Sequence, residues 1–186
     1  MVFLIVFFVV VVAVILIAFG MYNGLVRLRQ EANNAWAQID VQLKRRHDLI
    51  PNLVETVKGY MQYEQETLEK VIQARNHAVA ASNIQEKAEA ENALTRAVEG
   101  LFAIAESYPE LKASENMAQL QDELRSTENR IAYARQYYND VVTEYNTKIE
   151  QVPTNIIASM FSFQKRELFE IDAPEEREPV KVKFTE

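Results

Sequence analysis

Along this chain the apolar positions first run without interruption and then fall into stripes. From Val2 to Phe19 the sequence VFLIVFFVVVVAVILIAF holds no charge and no proline, and the next charged residue is Arg27. A bilayer core about 30 Å thick takes about 20 residues of helix, a length that Val2 to Met21 meets. Inside lipid a lone span satisfies its backbone polar groups only as a helix, so the many valines do not argue for a strand. A buried core helix would show one polar face. A cleaved signal peptide would carry basic residues ahead of the run and small residues at its end. Nothing basic precedes this run, and Ala18-Phe19-Gly20-Met21 places Phe and Met where small residues are wanted. Residues 1–21 are therefore expected to be a retained transmembrane signal anchor.

Beyond the anchor the spacing is helical. Met117, Leu120, Leu124, Thr127, Ile131, Ala134, Tyr138, Val141 and Tyr145 alternate 3 and 4 apart, a coiled-coil-like stripe for a partner helix. Ser114-Glu115 supplies its start and Pro153 its stop. Ala90, Leu94, Ala97, Leu101 and Ile104 form a second stripe, with Ser82 and Gln85 as a capping box and Tyr108-Pro109 as its close. Trp36, Ile39 and Leu43 make a third, and Leu53, Val57, Tyr60, Leu68 and Val71 a fourth. Between these two lies Arg45-Arg46-His47-Asp48-Leu49-Ile50-Pro51, where Asp48 suits an N-cap and Pro51 the first turn.

The pattern predicts an all-α chain: one N-terminal transmembrane helix, then an antiparallel up-and-down four-helix bundle over 22–152. Its helices are expected at 22–46, 49–81, 84–107 and 114–150, with short connections at 47–48, 82–83 and 108–113. The alternative is that the first two form one rod kinked at Pro51. Residues 153–169 include the apolar segment Asn155 to Phe163, read as a strap packed on the bundle or as a surface-seeking amphipathic turn. Residues 170–186, dense in charge and proline, read as a disordered tail.

Composition narrows the function. The formal charge of −7 belongs wholly to the part after the anchor, which disfavours nucleic acid as a partner. Four glycines and five prolines fit long helices with few turns. The absence of cysteine excludes a lipoprotein anchor and fits a reducing compartment. Arg27, Arg29, Lys44, Arg45 and Arg46 follow the span while no lysine or arginine precedes it, so the N-terminus should lie outside and the helical domain in the cytoplasm.

Candidate chemistry is sparse. A di-metal bundle needs Glu-x-x-His on two helices, but Lys44 and Ala74 stand three residues before the two histidines, His47 and His77. His47 beside Asp48 reads as a turn histidine near a cap rather than an oriented base. No cysteine nucleophile, Gly-x-Ser-x-Gly or phosphate loop occurs, so no enzyme activity, metal or cofactor is expected. What stands out is polar residues near the helix seams: Trp36, Gln38, Asp40, Arg45, Arg46 and Asp48 in one region, Glu128, Asn129, Arg135 and Asn139 in the other. They are either solvated faces with a few ion pairs or a polar network contacting another subunit. Gly20 and Gly24 give one small-xxx-small spacing at the inner edge of the span, suited to close helix packing or only to easing the exit from the membrane.

The block Ala35 to Val54 (AWAQIDVQLKRRHDLIPNLV), preceded by Tyr22-Asn23, Leu25-Val26 and Arg29, closely resembles the signature of the LemA family. Thr127-Glu128-Asn129-Arg130-Ile131, Ala134-Arg135, Tyr138-Asn139 and Pro153 to Ala158 extend the resemblance, which runs from about Tyr22 to Phe169. It implies a bacterial inner-membrane protein with one span, a short external N-terminus and a cytoplasmic four-helix bundle. It supplies no catalytic residue. The combined expectation is a non-enzymatic membrane scaffold that self-associates or binds other membrane proteins, the alternative being a membrane-tethered sensor or adaptor.

Overall fold

A computed structural model describes residues 1–61 and 63–170. Among them the chain is all-helical, without strands, in six helices: α1 Val2–Lys58, α2 Gln65–Ala80, α3 Ile84–Ala105, α4 Pro109–Lys112, α5 Glu115–Glu150 and α6 Thr154–Met160. By contacts the described chain divides into two compact units, residues 1–49 with 118–168, and residues 50–117 with 169–170.

The apolar run is the start of α1, with mean hydropathy 3.6 over its best window and none of that window buried by protein. Among the described residues this one helix is long and apolar enough to cross a membrane, and it continues without a break through Gly20 and Gly24. In the first unit, Leu25, Leu28, Ala32, Ala35, Ile39 and Leu43 of α1 are buried, as are Leu124, Thr127, Ile131, Tyr138, Val141, Val142 and Tyr145 of α5. Contacts between the two descend in one helix as they ascend in the other. Arg45 meets Glu123, Glu31 meets Tyr137, and Leu25 shares a cluster with Tyr145, so the helices are antiparallel. The stripe read in α5 is the buried one, with Leu120 and Ala134 half-buried.

The α6 region closes this unit. Ala158 and Phe163 join Leu25, Leu28 and Tyr145 in one cluster, flanked by Tyr22, Val26, Ile149 and Ile157. The helix ends in a Schellman arrangement. Ser162 adopts φ 54°, its N–H donates to Ser159 O (3.3 Å), and the Phe163 N–H donates to Ala158 O (2.9 Å). The apolar contact that accompanies such a cap is Phe163 with Ala158.

The second unit contains the expected helix pair but different breaks. Predicted connection 47–48 is helical, because Asp48 and Pro51 both lie inside α1 rather than opening a new helix. Pro51 removes one hydrogen-bond donor, and its exposed position leaves the other groups of that turn within reach of water. The real break follows Lys58, where Gly59 and Tyr60 turn the chain, so predicted helix 49–81 is two pieces. The phase resets there: Met61 is buried and Tyr60 exposed, reversing the expected stripe, while Leu53, Val57, Leu68 and Val71 keep their places. The cap of α3 is displaced by one residue. Asn83 accepts from the Glu86 N–H at 2.8 Å, and the Glu86 carboxylate accepts from the Ser82 N–H and hydroxyl, instead of Ser82 pairing with Gln85. In α3 the inner line is Ala90, Leu94, Val98, Leu101 and Ala105, so Ala97 and Ile104 sit half-buried at its edge. The tail expected to be disordered lies, apart from Glu170, outside the described residues.

Candidate interaction site

All ten seam polars fall in the first unit, on α1 and α5. Arg46 is buried, and its guanidinium reaches the Glu128 carboxylate at 3.9 Å. Arg45 pairs instead with Glu123, at 2.8 Å and half in water, where such a bridge is worth at most about 1 kcal/mol. Trp36 stacks at a tilt on Tyr138, with ring centroids 5.4 Å apart. Gln38, Asp40, Asp48 and Asn129 are exposed, and Arg135 and Asn139 are half-buried. Of these residues the structure brings Arg46 to Glu128, Arg45 to Glu123 and Trp36 to Tyr138 along the α1–α5 seam.

Several interactions fall outside that set. Tyr137 donates to the Glu31 carboxylate at 3.0 Å, and this bond, with some burial, raises its phenol above the usual tyrosine range. Asn146 clamps the backbone of Arg166 with both ends of its amide, each bond 2.9 Å long, and the Arg166 side chain donates to Asn33. Tyr138 donates to Glu167 O at 3.0 Å; burial pushes its phenol up, partly offset by the Arg166 charge. These contacts tie residues 163–168 to α1 and α5 through residues far apart in sequence, and no local pattern announces them.

A groove of about 580 Å³ between α1 and α5 is lined by Ala37, Val41, Gln42, Arg130, Tyr133 and Tyr137, with Gln38 and Ala134. Val41 is 63% exposed and Tyr133 73% exposed, both out of phase with the buried stripes. Beside them the buried Gln42 Oε1 has no hydrogen-bond partner among the described residues. A second hollow, near the end of the apolar run, is lined by Gly20, Met21, Gly24, Arg27, Glu144 and Lys148. A Cβ at Gly20 or Gly24 would meet no atom within 4 Å. Among the described residues no group of three histidine or acidic side chains is placed to hold a metal ion.

Comparison with known proteins matches the model of the LemA family to residues 35–184, most of the chain. The chain belongs to the LemA family. Protein LemA of Metamycoplasma hominis is 29% identical, over 91% of this chain and 76% of its own length. Magnetosome protein MamQ 2 of Paramagnetospirillum magneticum is 23% identical over 86% of this chain and 68% of its own. Magnetosome protein MamQ of Magnetospirillum gryphiswaldense is 23% identical, over 80% of this chain and 64% of its own. None of these names is that of an enzyme.

Proposed function

We propose that this LemA-family chain is a non-enzymatic, single-pass protein of the bacterial inner membrane whose helical part acts as a scaffold by pairing with a second copy of itself. The N-terminus lies outside and the helices in the cytoplasm, a reading supported by Arg27, Arg29, Lys44, Arg45 and Arg46 following the apolar run. The four-helix reading belongs with it. Antiparallel α1 and α5 in the first unit, and the packed α2–α3 pair in the second, are the pairings an up-and-down bundle uses.

The observation that carries self-association is the α1–α5 groove. It presents apolar surface at Val41 and Tyr133, the exposed Gln38 amide as acceptor and donor, and donors in the Arg130 guanidinium and the Tyr133 hydroxyl. A two-fold interface needs such self-complementarity, since the same patch must serve both sides. Because the chain has no cysteine, single substitutions report cleanly. Val41→Cys or Tyr133→Cys should give a disulfide-linked dimer on oxidation in native membranes. Val79→Cys, exposed in the second unit, serves as the background. Groove cysteines that crosslink no more than this background would refute the pairing.

The unbroken passage of α1 from Val2 to Lys58 favours a second reading, a membrane-tethered sensor or adaptor that transmits along this helix. Deleting residues 1–21 separates the two: a scaffold that works at the membrane loses function, whereas a soluble adaptor keeps much of it.

A further inference from the structure

The α6 region has two faces. Ala158 and Phe163 point into the cluster with Leu25, Leu28 and Tyr145. The other face is apolar yet uncovered: Val152 is 79% exposed, Ile156 59%, Met160 69% and Phe161 53%. Ile156 and Met160 stand four residues apart on α6 and so share one side, and Val152 lies in the turn that leads into it. From Gln151 to Gln164 there is no charged residue, in a chain that is otherwise one-quarter charged.

This face sits beside the end of the apolar run. The Phe161 ring lies 4.7 Å from that of Tyr22, and Phe163 lies 5.8 Å from the same ring. Tyr22 directly follows the roughly 20 residues that a bilayer core accommodates. Aromatic rings at that level are at home in the headgroup region, where their apolar body and polar edge are both satisfied. The surrounding cations fit the same depth. Arg27 and Lys148 line the hollow next to Gly20 and Gly24, and the Arg29 guanidinium lies 5.0 Å from the centre of the Phe163 ring. Such groups reach lipid phosphates while their stems lie against apolar surface.

We propose that Val152, Ile156, Met160 and Phe161 rest in the headgroup–acyl boundary of the same bilayer that the apolar segment of α1 crosses, giving this chain a second, in-plane membrane contact. This inference depends on the span reading above. Seven helical residues would bind a membrane weakly alone, but here the span already holds them at the surface, so no separate recruitment is needed. The contact fixes how far α1 projects before the helical part begins, because α6 is packed on α1 and α5 by its other face.

The test uses the full chain with single cysteines carrying the fluorophore NBD, in vesicles of phosphatidylethanolamine and phosphatidylglycerol. Doxyl quenchers are placed either near the headgroup end or near the methyl end of the acyl chain. Met160→Cys and Ile156→Cys change exposed side chains, so folding should survive; retained helicity and melting temperature check this. Val14→Cys reports the span, and Lys44→Cys, exposed on α1 well beyond the span, the solvent. NBD at 156 and 160 should be blue-shifted and quenched most by the shallow doxyl label, that at 14 most by the deep label, and that at 44 by neither. Absence of quenching at both 156 and 160 overturns the inference; if position 14 is still quenched, the span reading stands without it. Unquenched cysteines at 156 or 160 that instead form a disulfide-linked dimer would show that a second copy covers this face, which also overturns it. Loss of quenching at position 14 would remove both readings together.

Discussion

Ser162 is the residue whose backbone works against its side chain. A φ of 54° is reached with little cost by glycine, whereas other residues pay about 1 kcal/mol there. Ser162→Gly should therefore raise stability by about 0.5–1 kcal/mol, read as a higher urea midpoint with an unchanged slope. Asn146→Ala should do the opposite, leaving the N–H and C=O of Arg166 without their two partners. A loss of about 1–3 kcal/mol and faster tryptic cleavage at Lys165–Arg166 are expected; unchanged cleavage would mean that the clamp does not hold the strap. Tyr138 and Tyr145 have phenols that burial holds above the usual range, so their neutral forms belong to the folded state. Their contribution is complete below the unfolded-chain value of about 10 and is lost as pH climbs through the raised folded values. The melting temperature should accordingly fall above about pH 10, and Tyr138→Phe should flatten part of that fall. Little of this was legible beforehand. Asn146 and Tyr138 bond to backbone groups 20 and 29 residues away, and hydropathy period carries no record of such pairings.

Helix boundaries were legible where chemistry was local and misplaced where it was ambiguous. The start and end of α5 fall within a residue of those read from Ser114-Glu115 and Pro153, because nothing competes with its stripe. At Pro51 two signals coincide: an apparent N-cap, Asp48, and an apolar stripe that continues through Ile50, Leu53 and Val57. Burial of all three apolar residues wins, at about 1.5–3 kcal/mol for each large side chain against roughly 1 kcal/mol for a cap. The helix yields instead at Gly59, which had no flag in the period. Its φ is not positive, and an added Cβ would come no nearer than 3.9 Å to Thr56 O. Gly59→Ala should thus be tolerated and slightly stabilising, by about 0.4–1 kcal/mol through the unfolded chain. A clear loss would indicate that the turn needs glycine after all. Asn83→Ala should cost about 1 kcal/mol by removing the acceptor for the Glu86 N–H, whereas Gln85→Ala, at the position the sequence had favoured, should cost much less.

For the molecule as a whole, the sequence carried the all-helical class, the family and a segment long and apolar enough to span a bilayer, since each rests on composition or on a contiguous block. It did not carry the groove. Val41 and Tyr133 look like stray apolar residues on a polar face until α1 and α5 are laid side by side, when they border one hollow with Gln42. The seam polars first singled out, Arg46 with Glu128 and Trp36 with Tyr138, lie along the same helix pair and help hold the surface on which that groove forms. Self-association through this surface is the central claim, and the particle mass of the full chain, extracted in mild detergent or held in nanodiscs, tests it most directly. Wild type should contain two copies or more, and Tyr133→Glu, which places a charge in the groove without touching the core, should reduce it to one. A wild-type particle that holds a single copy under both conditions would contradict the claim.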